Sequence, residues 1–328
     1  MALTHPIREW LLDSDPALRW QVERDLLDEP PGVWQQTRAR VANEGFGAAL
    51  LARQDPDGRW AGGAHFPAGF FDTEEARGPA QPWTATSWSL NQLREWGVDA
   101  TALGDTAERL ARNCRWEYDD LPFWGGEVDV CINAFTLANG AWLGVDVSTL
   151  ARWFPAHQLD DDGWNCEAEE GRSVRSSFHS TLNALRGLLS YERATGDESV
   201  REARHRGEDY LLRRRLLYRE STGERVGSFV SHFVYPSRHQ YSALTALDHF
   251  RDASLFEGNT PDPRVADAVA LVRSSRSDEG TWMQGAPLAG RTWFEVDARE
   301  GEPSRWLTLI GARVVEWAED SGIPTSAH

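Results

Sequence analysis

The chain predicts an all-α protein built as a single α/α toroid of about six inner and six outer helices, residues 1–328 forming one domain. Three observations carry that expectation: a turn closed by tryptophan that occurs three times, an alternation of two helix types, and few strand signals. Residues 45–60 read GFGAALLARQDPDGRW, residues 157–164 read HQLDDDGW and residues 274–282 read SSRSDEGTW. In each, an apolar helix runs into an acidic, glycine-bearing turn and then a tryptophan. Gly58, Gly163 and Gly280 are expected to take the left-handed conformation that closes a helix. Trp60, Trp164 and Trp282 then cover the helix ends, with Gln54 or Gln158 beneath. A recurring unit of this size points to repeated helical architecture, and it gives sixteen tryptophans a packing role.

Between the turns, helices are expected at residues 16–28, 33–54, 83–96, 101–116, 130–143, 149–158, 177–194, 199–217, 238–251, 263–274 and 303–320. One set is apolar or small on most faces (84–93, 131–143, 181–189, 241–247), as buried helices are. The other set is rich in Arg and Glu (106–115, 200–215, 263–273), as an outer layer would be. Residues 225–235 alternate weakly and are expected to be a loop or short hairpin. Pairs of one buried and one amphipathic helix make an open solenoid or a closed ring. Irregular spacing and long loops at one end favour the ring.

The net charge of −17 and pI near 5 exclude the basic face that a nucleic acid or an anionic membrane would need. No apolar stretch is long enough to span a membrane. The opening MALTHPIREWLLDSD is acidic early and lacks a long apolar core, so a cytoplasmic chain without a signal peptide is expected. Three cysteines in so long a chain argue against a disulfide framework. A small-molecule substrate is the partner this leaves.

The chemistry concentrates between residues 127 and 189. Asp129 and Cys131 stand two apart at the head of an apolar helix, His179 opens the next, and Cys166 lies in the polar loop between them. Carboxylate, thiolate and imidazole are zinc ligands, and three protein ligands leave a fourth position open. Each also has a plain structural reading. Asp129 is a natural helix cap, Cys131 a small buried apolar residue, and His179 a satisfied core histidine. Glu167, Glu169 and Glu170 in the same loop read as solvated charges.

The turns QDPDGRW and QLDDDGW resemble the QW repeat of the squalene cyclase and protein prenyltransferase superfamily, and the likeness extends to stand-alone bacterial prenyltransferase/squalene-oxidase repeat proteins. It runs from RWQVERDLLD near the start to PSRWLTLIGARVVEW near the end, and it too implies an α/α toroid. EVDVC at residues 127–131 resembles the Asp-Gly-Cys element of prenyltransferase β subunits. RSSFHSTLNALRGL at residues 175–188 resembles their Arg-Asp-Phe-Tyr-His-Thr element. Carried over, these imply zinc on Asp129, Cys131 and His179, with the metal activating a thiol. The chain departs from the pattern at Phe123, Trp124, Gly126 and Ile132. There prenyltransferases carry the Arg and Lys that hold a diphosphate and an aromatic after the Cys. It also has Val128-Asp129-Val130-Cys131 where cyclases of the superfamily carry an Asp-Xaa-Asp-Asp acid motif.

Around this centre, Cys166 is a candidate nucleophile. Its place in an acid-rich loop suggests that it stands apart from the metal. Arg238, His239 and Tyr241 sit at another inner-helix start, where Arg238 suits an anionic group. Trp83, Trp88 and Phe71 are expected to line the cavity. The leading expectation is a zinc-dependent enzyme, transferase-like, that activates a thiolate or water for transfer or lyase chemistry on a small, partly apolar substrate. The alternatives are a metal-free cyclase or isomerase using Asp129 as acid, and a non-catalytic ligand-binding toroid with structural zinc.

Overall fold

The computed structural model describes residues 3–79, 81–168 and 171–323; Glu169 and Glu170 fall outside them. The protein is mostly helical, and the strands among the described residues are β1 (Trp282–Met283) and β2 (Pro303–Ser304), paired antiparallel. The helices in chain order are α1 (His5–Leu12), α2 (Pro16–Asp25), α3 (Pro31–Arg40), α4 (Gly45–Leu51), α5 (Thr86–Glu95), α6 (Thr106–Asn113) and α7 (Val130–Trp142). They continue with α8 (Ser148–Ala156), α9 (Phe178–Thr195), α10 (Arg201–Arg213), α11 (Ala243–Glu257), α12 (Ala266–Ser274) and α13 (Arg305–Asp320). Among the described residues no helix is long and apolar enough to cross a membrane.

Two expectations about elements need correction, and the segment expected to be a loop or a short hairpin is a loop. The helix expected at 33–54 is two, α3 and α4, because the chain turns at Asn43–Glu44 and Gly45 takes φ +59. The helix expected from 238 begins at Ala243, where Ser242 and Thr245 form a reciprocal capping box. Residues 225–235 hold a short 3-10 turn (Ser228–Ser231) and one bridge from Arg225 to Tyr218, without a hairpin of strands. Helix α1 carries no repeat signal and is read only from the structure.

The three Trp-closed turns share one hydrogen-bond scheme. The indole N–H of Trp60, Trp164 and Trp282 donates to the carbonyl ten residues earlier, on Leu50, Phe154 and Val272, at 2.9, 2.9 and 2.8 Å. The backbone N–H of the same tryptophans donates to Thr86, Thr181 and Thr308 Oγ1 at 3.1, 3.0 and 3.1 Å. Gln54, Gln158 and Arg276 each donate to the carbonyl four residues on. The helix-end carbonyl and the loop N–H are thus both satisfied in the interior, where leaving either unmet is costly. The left-handed residues are Gly58 (φ +94), Asp162 (φ +75) and Gly280 (φ +91), so Asp162, not Gly163, holds that place in the second turn. Aspartate tolerates it, and Arg213 meets its carboxylate at 3.1 Å. Gly163 is needed for space instead: a Cβ there would lie 2.5 Å from Thr181 Oγ1.

Helix α7 packs most extensively on α9, and α5 lies against α7, α9 against α11, α11 against α13 and α13 against α2. Small residues allow the closest of these approaches, since a Cβ on Gly187 of α9 would stand 2.8 Å from the Ala134 carbonyl of α7. Trp20 and Gln21 of α2 donate to the carbonyls of Trp96 and Glu95 at the end of α5. Arg313 of α13 bonds both Asp25 of α2 (3.0 Å) and Asp248 of α11 (2.7 Å). Helices α8, α10 and α12 pack behind α7, α9 and α11, respectively.

Candidate functional site

The site is assembled from three segments far apart in the chain. Before α7, Asn133 accepts from the Glu127 N–H (2.7 Å) and donates to its carbonyl (2.8 Å), which pins the approach to the helix. Asp129 occupies the N-cap position, and its side chain makes no capping bond to α7. Cys131 follows on the first turn. At α9, Ser177 accepts from the N–H of Ser180 as an N-cap and donates its own N–H to the Trp164 carbonyl. The second Trp-closed turn therefore sets the position of Cys166, two residues beyond it, whose N–H donates to Ser180 Oγ (3.2 Å).

This construction brings the Cys131 and Cys166 sulfurs to 3.3 Å. Ser180 Oγ donates to Cys166 Sγ (3.4 Å), and Asn183 Nδ2 donates to Cys131 Sγ (3.4 Å). Both cysteines are half-buried and neither is in a disulfide. The pair titrates as one unit. The Cys166 thiol is held below the ordinary thiol range, first by its hydrogen bond with the Cys131 thiol and then by that from Ser180, while burial and the nearby Asp129 charge oppose this. Although Cys166 lies in an acidic loop, its sulfur faces α7 and touches Cys131. Cys114 is fully buried, and burial pushes its thiol up to about 12.

His179 lies one turn before Asn183. Its Nδ1 accepts the Tyr241 backbone N–H at 2.9 Å, which leaves the neutral ring's proton on Nε2. Burial lowers its pKa, and the His239 carbonyl pulls the other way. Asn183 Nδ2 also donates to the carbonyls of His179 and His239, so it joins the thiol pair to the segment before α11. His239 is held down to about 4 by burial, then by His179 and Arg238, and stays neutral near pH 7. Its ring lies 6.0 Å from Trp83 and 6.2 Å from Trp88. Tyr241 has a different task from the expected one. Its hydroxyl donates to the Leu216 carbonyl (2.8 Å) and its ring is buried against Phe178 and Phe229, so it anchors α11 and orients His179 through its backbone. Arg238 has φ +54 and its guanidinium lies over Trp83 at 5.2 Å.

A cavity of about 700 Å³ adjoins these residues, within the size range of small-molecule sites. Trp88, Phe135 and Trp142 give it apolar walls, and Asn183 and Arg238 face it from the side of the thiols. Trp83 and Trp88 pack together with Phe135, but Phe71 is 64% exposed and lines nothing here. Sequence reasoning missed Asn183, Ser180, Arg94 and Arg186. Asn183 was legible as the residue four beyond His179 on one helical face, and the two arginines as charges set inside apolar helices.

Zinc is the group the sequence leads one to test against these residues. Two thiols in contact, one favouring its thiolate, suit a metal that binds sulfur. Among the described residues no group of three or more His, Cys, Asp and Glu side chains converges as a metal site, Asp129, Cys131 and His179 included. His179 would have to give up the Tyr241 hydrogen bond to present an unprotonated nitrogen. The sulfur pair, with Asp129 two residues before Cys131, is the part of the donor set that fits. No family model matches the chain, and no curated protein is significantly similar to it.

Proposed function

We propose that this protein is an α/α toroid of the squalene cyclase and prenyltransferase type, and that it is a thiolate-dependent enzyme. Its reacting centre is the Cys131–Cys166 pair, and its substrate is a small, partly apolar molecule held in the adjoining cavity. The toroid reading is supported by the common bonding of the three Trp-closed turns and by the packing succession α5, α7, α9, α11, α13 and α2. The reading of the chemistry rests on one observation, the 3.3 Å contact between the thiol on the first turn of α7 and the thiol of the loop before α9.

Cys131 and Cys166 are the residues that would hold zinc. Zinc bound there would keep its sulfur ligands as thiolates and would supply activation of a thiol or water. The chain's own contribution is positional and electrostatic. Ser180 and Cys131 supply hydrogen bonds that favour the Cys166 thiolate over the thiol. Asn183 fixes Cys131 from the cavity side. His179 stays neutral with its proton on the nitrogen not engaged by Tyr241.

Alkylation by iodoacetamide, read by peptide mass at a series of pH values, tests the thiolate. Cys166 is expected to react half-maximally below the ordinary thiol pKa of about 8.5, and Cys114 not to react in the folded protein. Reaction of Cys166 only at or above that pH would remove the basis for a thiolate enzyme.

A further inference from the structure

The cavity carries a charge imbalance that the thiol chemistry does not use. Seven arginines and three carboxylates line it, in a chain whose net charge is −17. Three of these arginines pair with carboxylates, and a fourth, Arg38, donates to the Gly97 carbonyl and lies over Trp20. Arg313 is bonded to Asp25 and Asp248, Arg24 to Asp25, and Arg193 to Asp252. Arg94, Arg186 and Arg238 are different: among the described residues none of the three forms an ion pair with a carboxylate. They come from α5, α9 and the lead into α11, and all three line this cavity.

Each guanidinium is enclosed by protein on most sides and open towards the cavity. Arg94 is aimed by a relay, since its Nε donates to Asn139 Oδ1 (2.9 Å) and Asn139 donates to Asn91 Oδ1 (2.8 Å). That relay occupies one donor and leaves both terminal amino groups for a ligand. Arg238 is oriented by stacking on Trp83 rather than by hydrogen bonds, so its donors are also uncommitted. Arg186 lies near enough to Arg94 for their repulsion, after burial, to depress the Arg94 pKa to about 10. Arg94 and Arg238 nevertheless stay charged at neutral pH, because a guanidinium does not give up its proton there. Glu95, which also lines the cavity, is near enough to favour the charged forms of Arg94 and Arg238 but forms an ion pair with neither, and burying three guanidiniums together with so little compensation is costly.

We infer that Arg94, Arg186 and Arg238 form a receptor for an oxyanion, so that the cavity takes a small molecule with a phosphate or carboxylate head and an apolar body. This rests on the proposal above that the cavity is the substrate site. The head lies among the three guanidiniums, whose planar donor pairs match carboxylate and phosphate oxygens. The body lies along Trp88, Phe135 and Trp142, towards Asn183 and the thiols behind it. These arginines are not in the segment before Asp129 where the resemblance would put anion-holding residues.

The test is equilibrium binding of inorganic phosphate and of succinate at constant ionic strength, followed by the fluorescence of the cavity tryptophans. Saturable binding is expected for at least one probe, the tighter identifying the head group as phosphate or carboxylate. Arg94→Gln and Arg186→Gln should each weaken it by roughly ten-fold or more, the loss of a charge-assisted contact. Arg264→Gln, on the surface and away from the cavity, should leave it unchanged. In the unaltered protein, the same probe should protect Arg94, Arg186 and Arg238 from phenylglyoxal, mapped by peptide mass; this arm does not depend on any variant folding. No saturable binding of either probe, binding indifferent to the cavity substitutions, or no selective protection would overturn the receptor. The assay needs neither metal nor reactive thiols. Arginine-dependent binding with inert thiols would therefore defeat only the enzyme proposal, and reactive thiols without anion binding would defeat only the receptor.

Discussion

At Glu127 the protein holds a carboxyl group with its pKa raised from 4.5 to about 7. Burial is the main cause, the neighbouring Asp129 charge adds to it, and the Val128 N–H bonded to Glu127 Oε2 pulls the other way. The folded state therefore keeps a proton that the unfolded chain releases between about pH 4.5 and 7. By linkage, this group's stabilising contribution is fully present below pH 4.5 and is lost as pH rises through 7. Glu127→Gln should flatten the stability profile over that window. At pH 8 it should be more stable than the parent by on the order of 1–2 kcal/mol, after allowance for the side chain's partial exposure. Calorimetric melting from pH 4.5 to 8 checks this, and a variant whose curve runs parallel to the parent's would contradict it. Residue chemistry of this kind was only partly legible in the sequence. The types of Asp129, Cys131, Cys166 and His179 marked the region. The sequence could not show that Tyr241 would spend its hydroxyl on Leu216 and its N–H on His179, because both partners come from other segments.

Helix ends and turns carry the next level of organisation. Thr86, Thr181 and Thr308 do the same job in three places, each accepting from the backbone N–H of the tryptophan that closes a turn. Replacing any one by valine keeps the volume and leaves that N–H buried without a partner. Thr86→Val, Thr181→Val and Thr308→Val should each cost about 1–3 kcal/mol, and similar amounts at all three sites. Urea denaturation measures this. A loss at one site with none at the other two would show that the shared geometry is not a shared source of stability. The turns were readable because Gln, Asp, Gly and Trp have strong positional meaning. The register of the second was not, because two residues in succession, Asp162 and Gly163, were able to fill the left-handed place. Packing decided it: Gly163 is required where Thr181 and Ser176 come close, so Asp162 turns the chain. The break between α3 and α4 escaped for a similar reason. Gly45 is tolerated in a helical pattern, and here its N–H neighbour Phe46 is captured by Asp15 Oδ2 (2.8 Å), which turns α4 onto α2.

Across the whole molecule, packing brings residues 129–131, 166 and 179–183 to one place and encloses the cavity beside them. Alternation of buried and amphipathic helices made the all-α class legible. The order of neighbours was not, since it depends on contacts such as Gly187 with Ala134 and Arg313 with Asp25 and Asp248 that join distant parts of the chain. The site follows from that order, because the second Trp-closed turn holds both the start of α9 and the loop that delivers Cys166 to Cys131. If the pair is a metal-held thiolate centre, both sulfurs must be needed for the metal. The decisive measurement is elemental analysis of protein purified with neither added zinc nor chelator, alongside its cysteine variants. About one zinc per chain is expected in the parent and in Cys114→Ala, and loss of most of it in both Cys131→Ala and Cys166→Ala. Well under one zinc per chain in the parent, or full retention by Cys166→Ala, would contradict a metal centre built on the sulfur pair.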